Sequence, residues 1–265
     1  MTLATLEQYY DAAPRQFASV VEVGPFTVFV GPPGGWTFYA RPRLGGSGPF
    51  DAAAVADLVA RMRDLGVPET VEWVHDVTPD LLPAVLAEGS LDRVEELPLM
   101  VLREPVAPLA PEGVTVRMLG PHDEALLGPA NGVSQLAFGP SREPAAGPAE
   151  RDASGAQASD AARALLRAGR ARIAVAEHPE HGVLATGRHL PHGGVSEVAG
   201  VATLPAMRGR GLASAVTAVL LEDAVRSGVG TVFLTAASDA VARLYHRLGF
   251  RRVGTGYAAA RSATC

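Results

Sequence analysis

Apolar and polar positions alternate with two different periods along the chain, and the switch between them predicts the elements. A helical period covers Leu3–Ser19. Strand-like alternation follows at Phe26–Val30 and Trp36–Arg41, joined by Gly31-Pro-Pro-Gly-Gly35. Asp51 is placed to cap a helix with Val55, Leu58, Val59 and Met62 on one face, and Gly66 ends it. A strand at Thr70–Val74, a short helix opened by Thr78 or Asp80, and a strand at Arg93–Leu102 complete the first part.

Pro105-Val-Ala-Pro108-Leu-Ala-Pro111 reads as a linker. Beyond it come a strand at Val114–Met118, a helix at Asp123–Ala137 and a second helix at Ser159–Ala168. Gly139–Asp160 between them is rich in Gly, Pro, Ala and Ser, too long for a turn, and is expected to be a functional or mobile loop. A hairpin at Arg172–Glu177 and Val183–His189, then a strand at Val195–Thr203, form a meander. Helices at Gly211–Arg226 and Asp239–Leu248 alternate with strands at Thr231–Ala236 and Arg251–Tyr257. The order predicts an α+β (α/β) fold with a mixed, mostly antiparallel sheet flanked by helices.

Expected domains are 1–104, a linker at 105–112, and 113–265. Each half ends strand, helix, strand, helix, strand. The expected helix starts at 51 and 78 differ by 27 residues, as do those at 211 and 238. A tandem duplication explains this, and coincidence competes with it.

Charge separates the same two parts. Residues 1–110 carry 7 Arg and 15 acids, whereas 111–265 carry 16 Arg and 13 acids. An anionic ligand is therefore expected in the C-terminal part. There is no lysine, which excludes Schiff-base chemistry and a P-loop lysine. The one cysteine, Cys265, permits neither an internal disulfide nor a cysteine-based zinc site. No apolar run reaches a membrane-spanning length, the start has no basic segment, and the net charge is −5. A cytoplasmic protein with no membrane or nucleic-acid partner is the expectation.

Chemistry concentrates where the Val195–Thr203 strand meets Pro205 and then Arg208-Gly-Arg-Gly-Leu-Ala213 at a helix start. Glycines present successive backbone N–H groups, and a helix N-terminus adds partial positive charge. Together they bind a phosphate or pyrophosphate without lysine, with Arg208 and Arg210 adding charge-assisted bonds.

This segment resembles the acyl-CoA loop of the GCN5-related N-acetyltransferase superfamily, Arg/Gln-x-x-Gly-x-Gly/Ala, through Arg208, Gly211 and Ala213. Val-Ala-Thr-x-Pro before it and Leu244-Tyr245-x-x-x-Gly249-Phe250 after it extend the resemblance over about Val114–Tyr257. The resemblance implies an acyl-CoA N-acyltransferase fold, with a degenerate similar half at the N-terminus. It also implies that acetyl-CoA pairs along Val201, Ala202 and Thr203, with its pyrophosphate on Gly209, Arg210, Gly211, Leu212, Ala213 and Ser214.

An amine then attacks the thioester directly, and no metal is required. Tyr245 matches the tyrosine that often protonates the departing thiolate. Glu197, eleven residues before Arg208, matches a base found in some members. Strand alternation alone places 197, 199, 201 and 203 on one face. Where many members carry Asn seven residues before the tyrosine, this chain has Ser238.

The alternatives are a longer acyl-CoA or acyl-carrier donor, and a non-catalytic CoA- or protein-binding module. The acceptor stays open between small-molecule and peptide amines. The oligomeric state stays open too, with a homodimer the common arrangement for small enzymes. His178-x-x-His181 and His189-x-x-His192 are read as solvated turn histidines rather than metal ligands. Arg43-Leu-Gly-Gly-Ser-Gly48 formally repeats the loop pattern, but its helix begins only near Asp51.

Overall fold

The computed structural model describes residues 2–31, 38–46, 48–109, 111–139 and 145–262. It divides into two units. Unit 1 comprises Met1–Met100 with Thr235–Ala242 and Arg252–Cys265, and unit 2 comprises Val101–Leu234 with Arg243–Arg251.

Unit 1 begins with α1 (Leu3–Ala12) and a 3-10 turn at Pro14–Gln16. The single helix expected to Ser19 stops early because Pro14 removes a backbone donor. Strands β1 (Ser19–Val23) and β2 (Phe26–Val30) form a hairpin in which Val23 faces Phe26. Strand β1 is not among the expected elements, because a pattern of five residues is too short to stand out. The expected strand at 36–41 is shorter, β3 (Ala40–Pro42), and Trp36 and Thr37 lie outside the described residues. Helix α2 (Ala52–Asp64), β4 (Thr70–Val74), α3 (Leu81–Glu88) and β5 (Arg93–Leu102) follow the periodicity closely. Val55, Leu58, Val59 and Met62 of α2 pack with Phe26, Val28, Trp73 and Leu81 in one core cluster.

Unit 2 begins with β6 (Thr115–Met118), a 3-10 turn at Glu124–Leu126 and α4 (Leu127–Phe138). The stretch expected to be an irregular loop contains α5 (Pro148–Ala153), opened by Pro148 and a Glu150 carboxylate that accepts from Gly147 N at 2.7 Å. Helix α6 (Asp160–Arg167) is capped by Ser159, whose Oγ accepts from Ala162 N. Strands β7 (Arg172–His178), β8 (Gly182–His192) and β9 (Val195–Thr203) form the antiparallel meander. Helix α7 (Leu212–Arg226) connects β9 to the parallel strand β10 (Thr231–Thr235), and α8 (Asp239–Arg247) leads to β11 (Phe250–Ala260).

The closing strand changes the expected domain division. β11 pairs antiparallel with β4, from Gly256↔Val74 to Ala260↔Thr70. Unit 1 therefore orders its strands β1-β2-β3-β4-β11-β5, and unit 2 orders its strands β10-β9-β8-β7-β6. A strand pattern shows that a segment seeks a partner, and the partner is chosen by topology that local sequence does not encode.

Candidate active site

Two ladders of different length meet at β9. With β8 it pairs from His192↔Val195 to Ala185↔Thr203. With β10 it pairs only at Thr231↔Val195, Val232↔Ser196 and Phe233↔Glu197. From Val198 onward the two parallel strands part, leaving a fork whose β9 edge carries Val201, Ala202 and Thr203. Backbone groups along such an edge are open to pairing with an extended amide-bearing ligand.

A bulge interrupts β9 inside the fork. Thr186 faces Ala202 and Arg188 faces Ala199, so Gly200 and Val201 together oppose the single Gly187. Gly200 adopts φ +59°, the left-handed conformation such a bulge requires. The extra residue shifts the alternation. Val198 lies on the face covered by α7, because its partner His189 bonds Asp223 of that helix. A Cβ on Gly187 would meet Val201, Val216 and Leu220 at 3.1 Å, which places Val201 on the α7 face too. Glu197 and Ala199 therefore occupy the opposite face from Val201 and Thr203. The expectation of one shared face fails because strict alternation assumes no bulge. Helix α4 covers part of that opposite face, where Thr186 and Ala202 are buried.

The loop after β9 builds the anion cradle. Leu204 N donates to Leu184 O, and a 3-10 turn at Pro205–Met207 redirects the chain. Gly209 and Gly211 adopt φ +78° and +76°, conformations a side chain would strain. Gly211 is the N-cap of α7 and has no side chain to cap it. The N–H groups of Leu212, Ala213 and Ser214 thus point beyond the helix end. Arg208 and Arg210 are exposed beside them, with Arg208 Nη2 also 3.5 Å from Ala137 O of α4.

Unit 1 offers a direct contrast at the corresponding helix. The N-cap of α2 is Asp51, whose Oδ1 accepts from Ala54 N at 2.8 Å. A carboxylate already occupies the position an anion would take. Strands β3 and β4 meet at the single pair Ala40↔Val71. Beside it the buried Arg41 guanidinium stacks 3.7 Å from the Tyr10 ring centre and lies 3.6 Å from Glu7. Burial pushes the nearby Glu72 carboxyl up to about 7, against the pull of Arg41 and a bond from Tyr39.

In unit 2 Tyr245 is buried near the end of α8 and packs edge-on against Phe250, with ring centres 5.8 Å apart. Burial pushes its phenol up to about 12, so the hydroxyl stays protonated at neutral pH. Ser238 belongs to unit 1, where its Oγ accepts from Val241 N at 3.3 Å. Its hydroxyl is used as a cap for α8.

One cluster escaped the sequence. His189, expected at a solvated turn, is fully buried. Its Nε2 lies 2.8 Å from Asp223 Oδ2 and its Nδ1 lies 2.9 Å from Ser196 Oγ, while Arg172 also grips Asp223. This fixes α7 to β8 and β9 at the base of the fork. Burial lowers the His189 pKa, partly opposed by Asp223. For Asp223 burial acts upward, and the bonds from Arg172 and His189 outweigh it and lower the carboxyl. His178 and His181 stack at 4.6 Å, and among the described residues no group of three or more metal-binding side chains occurs. No described helix is long and apolar enough to cross a membrane.

Comparison with known proteins agrees with this geometry. Residues 146–250 match the Acetyltransferase (GNAT) family model. The mycothiol acetyltransferase of Tsukamurella paurometabola is 31% identical over 241 residues, covering 82% of this chain and 79% of that protein. A GCN5-related N-acetyltransferase from Kribbella flavida superposes with a TM-score of 0.68 at 22% identity, covering 98% of this chain and 96% of the other. A tandem GNAT protein from the clavulanic acid biosynthesis pathway superposes with a TM-score of 0.52 at 15% identity, covering 91% and 79%. The fold is thus the acyl-CoA N-acyltransferase fold in tandem form, and the chain is an acetyltransferase that belongs to the GNAT family.

Proposed function

We propose that this acetyltransferase moves the acetyl group of acetyl-CoA to a primary amine by direct attack in a ternary complex. The fork between β9 and β10, continuous with the uncapped N-terminus of α7, carries the reading. Acetyl-CoA enters as substrate and supplies the activated acyl group.

The amides of Gly209 to Ser214, with Arg208 and Arg210, hold the pyrophosphate. The β9 edge at Val201, Ala202 and Thr203 aligns the pantetheine arm. Glu197, at the last rung shared with β10, takes the proton from the acceptor ammonium. The freed lone pair forms the C–N bond as the C–S bond breaks, Tyr245 donates to the departing sulfur, and the surplus proton on the new amide nitrogen passes through water to restore the Tyr245 hydroxyl. Acetyl-CoA binds in unit 2 alone, since Asp51 and Arg41 fill the corresponding features of unit 1.

The named relative makes a mycothiol-related amine one acceptor to assay. The test is release of free CoA thiol from acetyl-CoA with a panel of primary amines. Amine-dependent release with formation of the N-acetyl product is expected. Release that ignores the amine, or none with any amine, overturns the reading.

A further inference from the structure

The acetyl-CoA site proposed above has two parts, the β9 edge of the fork and the N-terminus of α7. Affinity for a ligand that spans both depends on how α7 sits against β9. One buried chain of hydrogen bonds sets that placement. Ser196 shares a rung with Val232 of β10, one residue before the last rung at which β9 and β10 pair. Its Oγ lies 2.9 Å from His189 Nδ1 on β8, and His189 Nε2 lies 2.8 Å from Asp223 Oδ2 on α7. Arg172 of β7 donates to both oxygens of Asp223. Ser196, His189 and Asp223 are all buried. The helix also lies close over β8, since a Cβ on Gly187 would meet Val216 and Leu220 at 3.1 Å.

With His189 neutral the chain has one proton order. Asp223 faces the Arg172 guanidinium as a carboxylate, so Nε2 carries the ring proton and Nδ1 accepts from the Ser196 hydroxyl. A second proton enters at Nδ1. The Ser196 oxygen must then accept where it had donated, and two buried cations face the one carboxylate. Parting of α7 from β8 and β9 admits water and relieves both. A ligand that spans α7 and β9 opposes that parting.

We propose that His189 is a positioning residue for acetyl-CoA, which when neutral registers α7 against the fork and when protonated lets the two shift and release the ligand. The proposal rests on the transfer reading and adds an acid-operated control to its binding site. The groups that face His189 are Asp223 from α7, Ser196 from β9 and Arg172 from β7. Of these four side chains only the imidazole ordinarily changes charge between pH 5 and 8. Binding and protonation are reciprocal, so acetyl-CoA expels the His189 proton.

The experiment is calorimetric titration with acetyl-CoA of the wild type and of His189→Gln. Each is titrated at about pH 8 and at the lowest pH, near 5.5, that leaves both folded by circular dichroism. The glutamine amide can donate to Asp223 and accept from Ser196, and it does not titrate. The phosphates of acetyl-CoA titrate alike with both chains, so the difference between the chains reports His189. On acidification the wild type is expected to lose at least roughly threefold more affinity than the variant. An equal or smaller loss in the wild type overturns the proposal and leaves the transfer reading standing. If neither chain binds acetyl-CoA at either pH, the transfer reading itself fails and takes the proposal with it. Should His189→Gln not fold, NMR of the wild-type histidine rings decides. Acetyl-CoA is expected to lower the titration midpoint of the most acid-shifted ring, and an unchanged midpoint overturns the proposal.

Discussion

Tyr245 sets the chemical problem at the scale of a residue. Its pKa of about 12 keeps the proton available across the physiological range. Against a thiol near 8.5, full transfer to the sulfur is uphill by roughly 5 kcal/mol. In the proposed mechanism the phenol therefore acts chiefly as a hydrogen-bond donor while charge grows on the sulfur, and gives up its proton late. Tyr245→Phe is expected to lower kcat about 100-fold with KM for acetyl-CoA nearly unchanged. Steady-state kinetics checks this, and an unaltered kcat removes Tyr245 from the mechanism. The same pKa means that wild type and variant share any alkaline limb of the pH–rate profile below about pH 11. Tyr245 and Glu197 are proposed from short motifs and their spacing to the loop. The facing of Val201 and Thr203 relative to Glu197 was not legible, since a bulge between them shifts the strand by one residue. Ser238 is proposed from spacing alone, and its Oγ accepts the capping bond from Val241 N.

Helix α7 is the element on which the proposed binding depends, and both of its ends matter. At its start Gly211 leaves the amides uncapped, whereas Asp51 caps α2 with a carboxylate. That contrast was readable, because one N-cap is glycine and the other is aspartate. Near its far end Asp223 is tied to His189 and Arg172, and Arg172 also donates to Ser227 Oγ, which holds the helix against the meander. The tie was invisible in the sequence because its members are 34 and 51 residues apart.

The tie gives stability a pH dependence of known sign. His189 has a folded-state pKa below its ordinary 6.5, so the unfolded chain binds its proton more readily. Stability from this group is complete above about pH 6.5 and falls as pH drops toward the folded value. Asp223, lowered below 3.8, adds a separate loss at more acidic pH. Thermal unfolding should show Tm falling between pH 7.5 and 5.5, with the slope reduced in His189→Gln. An identical slope in the variant assigns the effect to another group.

Taken as a whole, the molecule carries two copies of one motif with opposite fates. The helix after the bulged strand in unit 2 offers amides and arginines. Its counterpart in unit 1 follows a buried guanidinium and is sealed by a carboxylate. The excess of acids in residues 1–110 and of arginines in 111–265 foreshadows that division, and the lack of lysine leaves anion binding to arginine and backbone. The element order was legible apart from β1 and α5, but the placement of β11 beside β4 was not. Calorimetric titration with acetyl-CoA tests the central claim most directly. One mole should bind per mole of chain, and Gly211→Asp, which puts an anion and a strained backbone at the α7 N-cap, should weaken binding at least tenfold. Absence of binding at millimolar acetyl-CoA, two sites per chain, or an affinity indifferent to Gly211→Asp would contradict it.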